Sequence, residues 1–145
     1  MIFLDTNIIL RYLTTPTNTF SARAQEVATE LLENVRAGRV EVFTTELVIH
    51  EVLIVATSRR HYGMTAALAI QLVRPLIRYR SMRFSPGEKD IILRALDIWE
   101  RNPKLEFADS AIAARCEANR WELATFDEEL GSLPGITRWS ADPAQ

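Results

Sequence analysis

Four acidic residues stand where carboxylates can do chemistry. Asp5 follows the apolar run "MIFL" and Asp127 follows "LATF", while Asp109 opens an apolar segment after "LEFA" and Glu51 lies inside "VIHEVLIV". Carboxylates that lie close together repel one another, and oxygen-rich clusters without His are how proteins hold hard divalent cations. If the fold brings these acids together, the pattern indicates a site for Mg²⁺ or Mn²⁺.

Each acid also has a simpler structural explanation to be weighed. Asp5, Asp109 and Asp127 all precede or open a helical pattern, where a carboxylate accepts hydrogen bonds from free backbone N–H groups. Glu51 lies too far into its helix to act as a cap, whereas Glu46 in the first turn is explained by the helix dipole. A carboxylate among Val, Ile and Leu is costly without a cation, so we expect Glu51, like Asp109, to be partly buried.

Other common chemistries lack their residues. The two histidines, His50 and His61, have no partners at zinc spacing, and no G-x-x-x-x-G-K-[ST] loop is present to bind a nucleotide. Ser110 does not lie in a G-x-S-x-G elbow, which leaves acyl transfer without support. Cys116 is the single cysteine, so it cannot form an intrachain disulfide and is predicted to be a small buried thiol.

The charge is distributed unevenly along the chain. The net charge is −2, yet residues 52–87 contain no Asp or Glu. The arginines of this acid-free stretch are Arg59, Arg60, Arg74, Arg78, Arg80 and Arg83. A stripe of arginines suits phosphate oxygens, but the same residues also serve as ordinary solvent-facing cations, and the sequence leaves both interpretations open.

Short apolar runs alternate with longer helical periodicities, and these elements must position the acids. Five strands are predicted, at residues 2–4, 40–44, 82–84, 123–126 and 136–139. The intervening helices include residues 21–37 and a segment capped by Ser85. Apolar strands that alternate with helices predict a three-layer α/β/α sandwich with a central parallel sheet of four or five strands. In such sheets, ligands bind beyond the carboxyl ends of the strands, where Asp5 and Asp127 are expected.

Length and composition predict one globular domain, and the hydropathy pattern predicts a cytoplasmic location. The chain has 145 residues, 48% of them hydrophobic and 25% charged, and no Gly/Ser linker divides it. We therefore expect a single domain over residues 1–140 and a loose C-terminal tail over residues 141–145. No apolar run approaches the roughly 18 residues of a membrane span and no secretory leader is seen, so a cytoplasmic location is expected.

Four segments together resemble a known family. "MIFLDTNIILRYL", "FTTELVIHEVL", "EFADSAIAA" and "LATFDEEL", in this order and near these spacings, are similar to the PIN-domain ribonucleases. The short length is similar to that of the VapC-type toxins of toxin–antitoxin pairs. The family often has a Thr three residues before its Glu, where this chain has Val48, but the spacing favours Glu51 over Glu46.

The resemblance implies a site, a reaction and partners. It implies a metal-binding catalytic quartet of Asp5, Glu51, Asp109 and Asp127, with Thr6, Asn7 and Thr125 as supporting polar groups and one or two Mg²⁺ or Mn²⁺ ions. RNA cleavage would leave a 5′-phosphate and a 3′-hydroxyl. The implied partners are an RNA substrate, a small inhibitory antitoxin and a second copy of the chain in a homodimer. The residues expected to contact RNA are Arg11, Arg59, Arg60, Arg78 and Arg80.

Two other functions are considered, and each requires a feature that the toxin assignment does not. A PIN nuclease of RNA processing would act without an antitoxin, and the absence of a neighbouring gene for a small DNA-binding protein would favour it. A receiver-like signalling module that binds Mg²⁺ and accepts a phosphoryl group needs a Lys at the end of a late strand. The chain has only Lys89 and Lys104, and neither lies at a predicted strand end.

Overall fold

A computed structural model describes residues 1–140. The predicted tail, residues 141–145, lies outside the described residues. The described helices are α1 (Thr6–Leu13), α2 (Thr19–Arg36), α3 (Glu46–Thr57), α4 (Ala66–Arg78), α5 (Glu88–Arg101), α6 (Phe107–Asn119) and α7 (Glu128–Gly131). The strands are β1 (Ile2–Phe3), β2 (Val42–Phe43), β3 (Met82–Arg83), β4 (Glu122–Leu123) and β5 (Thr137–Arg138). None of these helices is both long and apolar enough to cross a membrane.

The chain divides into two compact units, Met1–Lys89 and Asp90–Gln145, with the division near the start of α5. The first unit contains a parallel sheet in the order β1-β2-β3, in which Ile2 pairs with Val42 and Val42 pairs with Met82. Helix α1 packs against α2 and α3. The sheet and these helices bury aliphatic side chains that include Leu4, Ile9 and Leu53, each at most 1% exposed.

The second unit contains the parallel pair β4-β5, with Glu122 opposite Thr137 and Leu123 opposite Arg138. Helix α6 packs against β4. The buried Trp99 of α5 donates its indole N–H to the carbonyl of Leu105 at 2.8 Å and meets the ring of Phe107 edge-on. Cys116 of α6 is buried, as predicted for a structural thiol.

The α/β class and the parallel pairing are confirmed, but the strands differ from the prediction in length and grouping. Each predicted strand has a counterpart of two residues, and in residues 1–140 they form a group of three and a group of two. The apolar residues of β1 are not covered on both faces, since Ile2 is 45% and Phe3 57% exposed. An apolar run predicts a strand's position better than its length, because pairing depends on the neighbouring strand.

The predicted start of the helix at Ser85 is wrong. Helix α5 begins at Glu88, because Gly87 adopts a φ of +81° and residues 85–88 form a turn closed by Glu88 N–H and the Ser85 carbonyl. The predicted capping contact nevertheless exists, since the Glu88 carboxylate accepts from the Ser85 N–H at 3.3 Å. The same carboxylate accepts from the Glu46 N–H at 3.0 Å and so connects this turn to the start of α3.

Candidate active site

Thr6 connects two of the predicted acids in the first unit. Its backbone N–H donates to Asp5 Oδ1 at 2.8 Å, and its hydroxyl Oγ1 donates to Glu51 Oε2 at 3.0 Å. Asp5 is the N-cap of α1, and Thr6 itself is only 6% exposed. One buried residue therefore holds an N-cap carboxylate and a mid-helix carboxylate from different elements beside each other.

The ends of the first two strands explain why α1 and α3 meet here. The Leu4 N–H donates to the Phe43 carbonyl at 2.8 Å, and the Thr44 hydroxyl donates to the Leu4 carbonyl at 3.1 Å. Thr44 is completely buried. Sequence reasoning missed this residue, although a Thr directly after a buried strand is a signal, because a buried hydroxyl requires a partner. Its bond fixes the backbone one residue before Asp5.

The expected burial of Glu51 is wrong. The residues of α3 that face the interior are Val48, Ile49, Val52, Leu53 and Ala56, and Glu51 is exposed together with Leu47 and Ile54. Its apolar neighbours in sequence are therefore on other sides of the helix. The Glu51 carboxylate remains in water apart from the Thr6 contact, so burial alone does not require a neutralising cation.

The other two acids belong to the second unit. Asp109, in the first turn of α6, is half-buried, as expected, and its Oδ2 accepts from the Glu106 N–H at 3.2 Å in a reciprocal capping box. Asp127 is the N-cap of α7 and accepts from the Leu130 N–H at 2.9 Å. The Asp127 N–H donates to Thr125 Oγ1 at 3.0 Å. Both carboxylates are thus oriented by the backbone at a helix start.

None of the four acids forms an ion pair within residues 1–140. Other acids of the described chain do: Glu33 pairs with Arg36 at 2.6 Å, and Glu117 pairs with Arg94 at 2.7 Å. Each aspartate of the set uses one carboxylate oxygen for the backbone, and the second oxygen has no protein partner among the described residues. Each of these aspartates therefore has one carboxylate oxygen free for another ligand.

The convergence of all four acids stays a prediction. Two of them lie in each compact unit, and across residues 1–140 no group of three or more His, Cys, Asp or Glu side chains has an arrangement that holds a metal ion. What the geometry gives is one linked pair, Asp5 and Glu51, and two separately capped helix starts.

The remaining predicted residues are accessible. Asn7 is exposed at the second position of α1, and Arg11 is half-exposed in its last turn. The other predicted RNA contacts are exposed and form no ion pair in the described part of the chain: Arg59, Arg60, Arg78 and Arg80. Arg83, in contrast, pairs with Glu41 at 3.3 Å. The exposed arginines lie in the turn after α3 and at the end of α4.

A family model supplies the context for these acids. The model of the PIN domain matches residues 2–136, which is nearly the whole chain. The chain belongs to the PIN domain family. PIN domains are generally nucleases and typically use divalent metal ions, so the family favours a hydrolase of nucleic acid over the receiver-like alternative. No curated protein is similar enough in sequence to match this PIN domain.

Proposed function

We propose that this PIN domain is an endoribonuclease that depends on Mg²⁺ or Mn²⁺ and is the VapC-type toxin of a toxin–antitoxin pair. The observation that carries the nuclease assignment is the pair of carboxylates, Asp5 and Glu51, held beside each other by Thr6. The pair occurs in a chain whose family is generally nucleolytic. The resemblance of the sequence to VapC-type toxins supports the toxin assignment, and with it a homodimer, a small protein inhibitor and a cytoplasmic location.

The donor set fits a hard divalent cation. Asp5, Glu51, Asp109 and Asp127 would hold it through carboxylate oxygens, the ligands that Mg²⁺ and Mn²⁺ prefer. The set has no thiolate or imidazole, and each aspartate has an oxygen that the described residues leave free. A divalent cation, when bound, lowers the pKa of water and stabilises negative charge on a phosphate.

Other residues of the chain position the acids and the RNA. Thr6 holds the Glu51 carboxylate in one place, and Thr125 fixes the backbone of Asp127. Water attacks phosphorus and the 3′ oxygen leaves, so the products are a 5′-phosphate and a 3′-hydroxyl. The exposed arginines of residues 52–87 bind the RNA backbone through phosphates.

Replacing one acid tests the proposal. Asp5→Asn and Asp109→Asn keep a side-chain acceptor but remove the negative charge, so we expect loss of RNA cleavage and of Mn²⁺ binding with an unchanged circular dichroism spectrum. Glu129→Gln is the matched control, because Glu129 is an exposed acid close to Asp127 in sequence and outside the set.

Sequencing the ends of RNA cleaved by the wild-type protein identifies the products. A 3′-phosphate would contradict the proposed reaction, and near wild-type cleavage by Asp5→Asn would exclude a metal site at Asp5. Inhibition by the product of an adjacent small gene tests the toxin assignment. Without such an inhibitor, the RNA-processing alternative would replace the toxin role and leave the nuclease intact.

A further inference from the structure

Two exposed tryptophans line one shallow cavity, open to solvent, in the second unit. The cavity has a volume of about 410 Å³ and is lined by Trp121, Glu122, Ala124 and Trp139. Trp121 is 59% and Trp139 is 51% exposed. Soluble proteins rarely leave two large aromatic side chains in water at one place unless they contact something.

The backbone holds both tryptophans at fixed positions. The Trp139 N–H donates to the Leu123 carbonyl at 2.9 Å, which extends the β4-β5 ladder so that Trp139 follows Arg138 beside Ala124. The Trp121 N–H donates to the Cys116 carbonyl at 3.0 Å, after Arg120 leaves α6 in the left-handed conformation at a φ of 55°. Neither indole is therefore on a freely moving segment.

Glu122 and Ala124 line the cavity beside the two tryptophans. Side chains alternate along β4, so Glu122 and Ala124 share a face while Leu123 on the other face is buried. Ala124 is three positions after Trp121, which is roughly 10 Å along an extended chain. Neither indole contacts another aromatic ring within residues 1–140, and both are more than half exposed, so each can stack on a planar group.

The polar groups select the kind of planar group. Glu122 is exposed and has no hydrogen bond or ion pair in the described chain, and an ionised carboxylate only accepts hydrogen bonds. It would repel a phosphate in the cavity but accept from the edge of a nucleobase. Guanine presents two adjacent donors, N1–H and the N2 amino group, that match the two carboxylate oxygens, whereas uracil presents one donor between two acceptors.

We propose that Trp121, Glu122 and Trp139 form a binding site for one unpaired guanine base of single-stranded RNA. The indoles stack on the base, as aromatic side chains do on single strands, and Glu122 accepts from its Watson–Crick edge. The exposed Arg120, next to Trp121 in sequence, is available for the adjoining phosphate. The inference rests on the proposed function, because the guanine belongs to the RNA substrate.

The three tryptophans of the chain make the test direct. Each gives one indole N–H signal in an ¹⁵N spectrum, and guanosine monophosphate should shift the signals of Trp121 and Trp139 but not that of the buried Trp99. Uridine monophosphate should give smaller shifts. Trp121→Ala and Trp139→Ala should each weaken binding of guanosine monophosphate about tenfold or more, as expected for the loss of one stacking partner.

Two further variants separate stacking from base selection. Glu122→Gln should leave binding of uridine monophosphate unchanged and lower the preference for guanosine by roughly tenfold. Phe20→Ala is the control, because Phe20 is 77% exposed on α2 and should not affect either nucleotide. Wild-type titrations do not depend on any variant folding.

Several results would overturn the inference. These are unshifted indole signals, equal shifts with both nucleotides, or shifts produced by a neutral disaccharide and by no nucleotide. The titration requires neither a metal nor cleavage, so its outcome is independent of the nuclease proposal. Nucleotide binding without any RNA cleavage would refute the proposed function alone, whereas RNA cleavage with unshifted indoles would refute the guanine site alone.

Discussion

Thr6→Val is the most informative single substitution in the first unit. It replaces a hydroxyl by a methyl group of similar size and leaves the backbone N–H that donates to Asp5 Oδ1 at 2.8 Å. Only the 3.0 Å bond to Glu51 Oε2 is lost. Because Thr6 is buried and the Glu51 carboxylate is exposed, the carboxylate regains water and no polar atom is stranded. The free energy of unfolding should fall by about 1 kcal/mol or less.

Function should respond more strongly than stability. A residue that orients a metal ligand typically changes metal affinity or activity by about 10- to 100-fold when it is removed, equivalent to about 1.4–2.7 kcal/mol. We expect Thr6→Val to weaken Mn²⁺ binding and slow RNA cleavage within this range. Thr6→Ser keeps the hydroxyl, so its Mn²⁺ binding and RNA cleavage should remain near wild type. It loses one buried methyl, worth about 0.8 kcal/mol of stability.

Comparing Thr6→Val with Thr6→Ser distinguishes a role in positioning Glu51 from a general loss of structure. Mn²⁺ affinity is measured by calorimetric titration, cleavage with a labelled RNA, and the free energy of unfolding in urea. The two variants should have similar stability, and Thr6→Ser should be the more active one. Mn²⁺ affinity and cleavage of Thr6→Val within twofold of wild type would show that the Thr6 hydroxyl does not position Glu51 for the reaction.

Two other predictions follow from charges. If Arg59, Arg60, Arg78 and Arg80 contact phosphates, each Ala substitution in an Asp5→Asn background should reduce the slope of log RNA affinity against log salt concentration by about 0.7. Arg36→Ala, which removes a partner of Glu33, should leave this slope unchanged. Four unaltered slopes would exclude phosphate contacts. The hydrogen bond from Arg94 lowers the pKa of Glu117, so this pair stabilises the protein above pH 4.5 and the benefit is lost as the pH falls through the folded-state pKa. Glu117→Gln should therefore cost up to about 1 kcal/mol at pH 7 in urea unfolding and progressively less as the pH falls below 4.5, with Glu26→Gln neutral throughout. A loss that does not change with pH would contradict the ion-pair explanation.

Element positions were predictable from the sequence because apolar runs and helix signals are local. Asp5 and Asp127 follow apolar runs and cap helices, as their places in the sequence suggest. The start of α5 was not predictable, because Ser85 and Pro86 favour a helix start while Gly87 with its positive φ delays it to Glu88.

The exposure of Glu51 shows why burial was not predictable from its neighbours in the sequence. Helix α3 has apolar residues on its outer face as well, with Leu47 74% and Ile54 53% exposed. With apolar side chains all round, the helical period does not identify which side faces the interior. Neighbours in sequence then give a false impression of burial. The partner of Glu51 is Thr6, 45 positions away, which only the strand pairing before Asp5 brings into contact.

Helix capping and metal binding are compatible roles for the aspartates of this chain. Asp5 and Asp127 each accept one backbone hydrogen bond through Oδ1, so each keeps a second oxygen for another ligand. The backbone bond restricts the rotation of the carboxylate, which lowers the entropic cost of holding a cation at the remaining oxygen. A capping position thus prepares a carboxylate for metal binding. An Asn at the same position keeps the cap and loses the charge, so the two roles are separable by experiment.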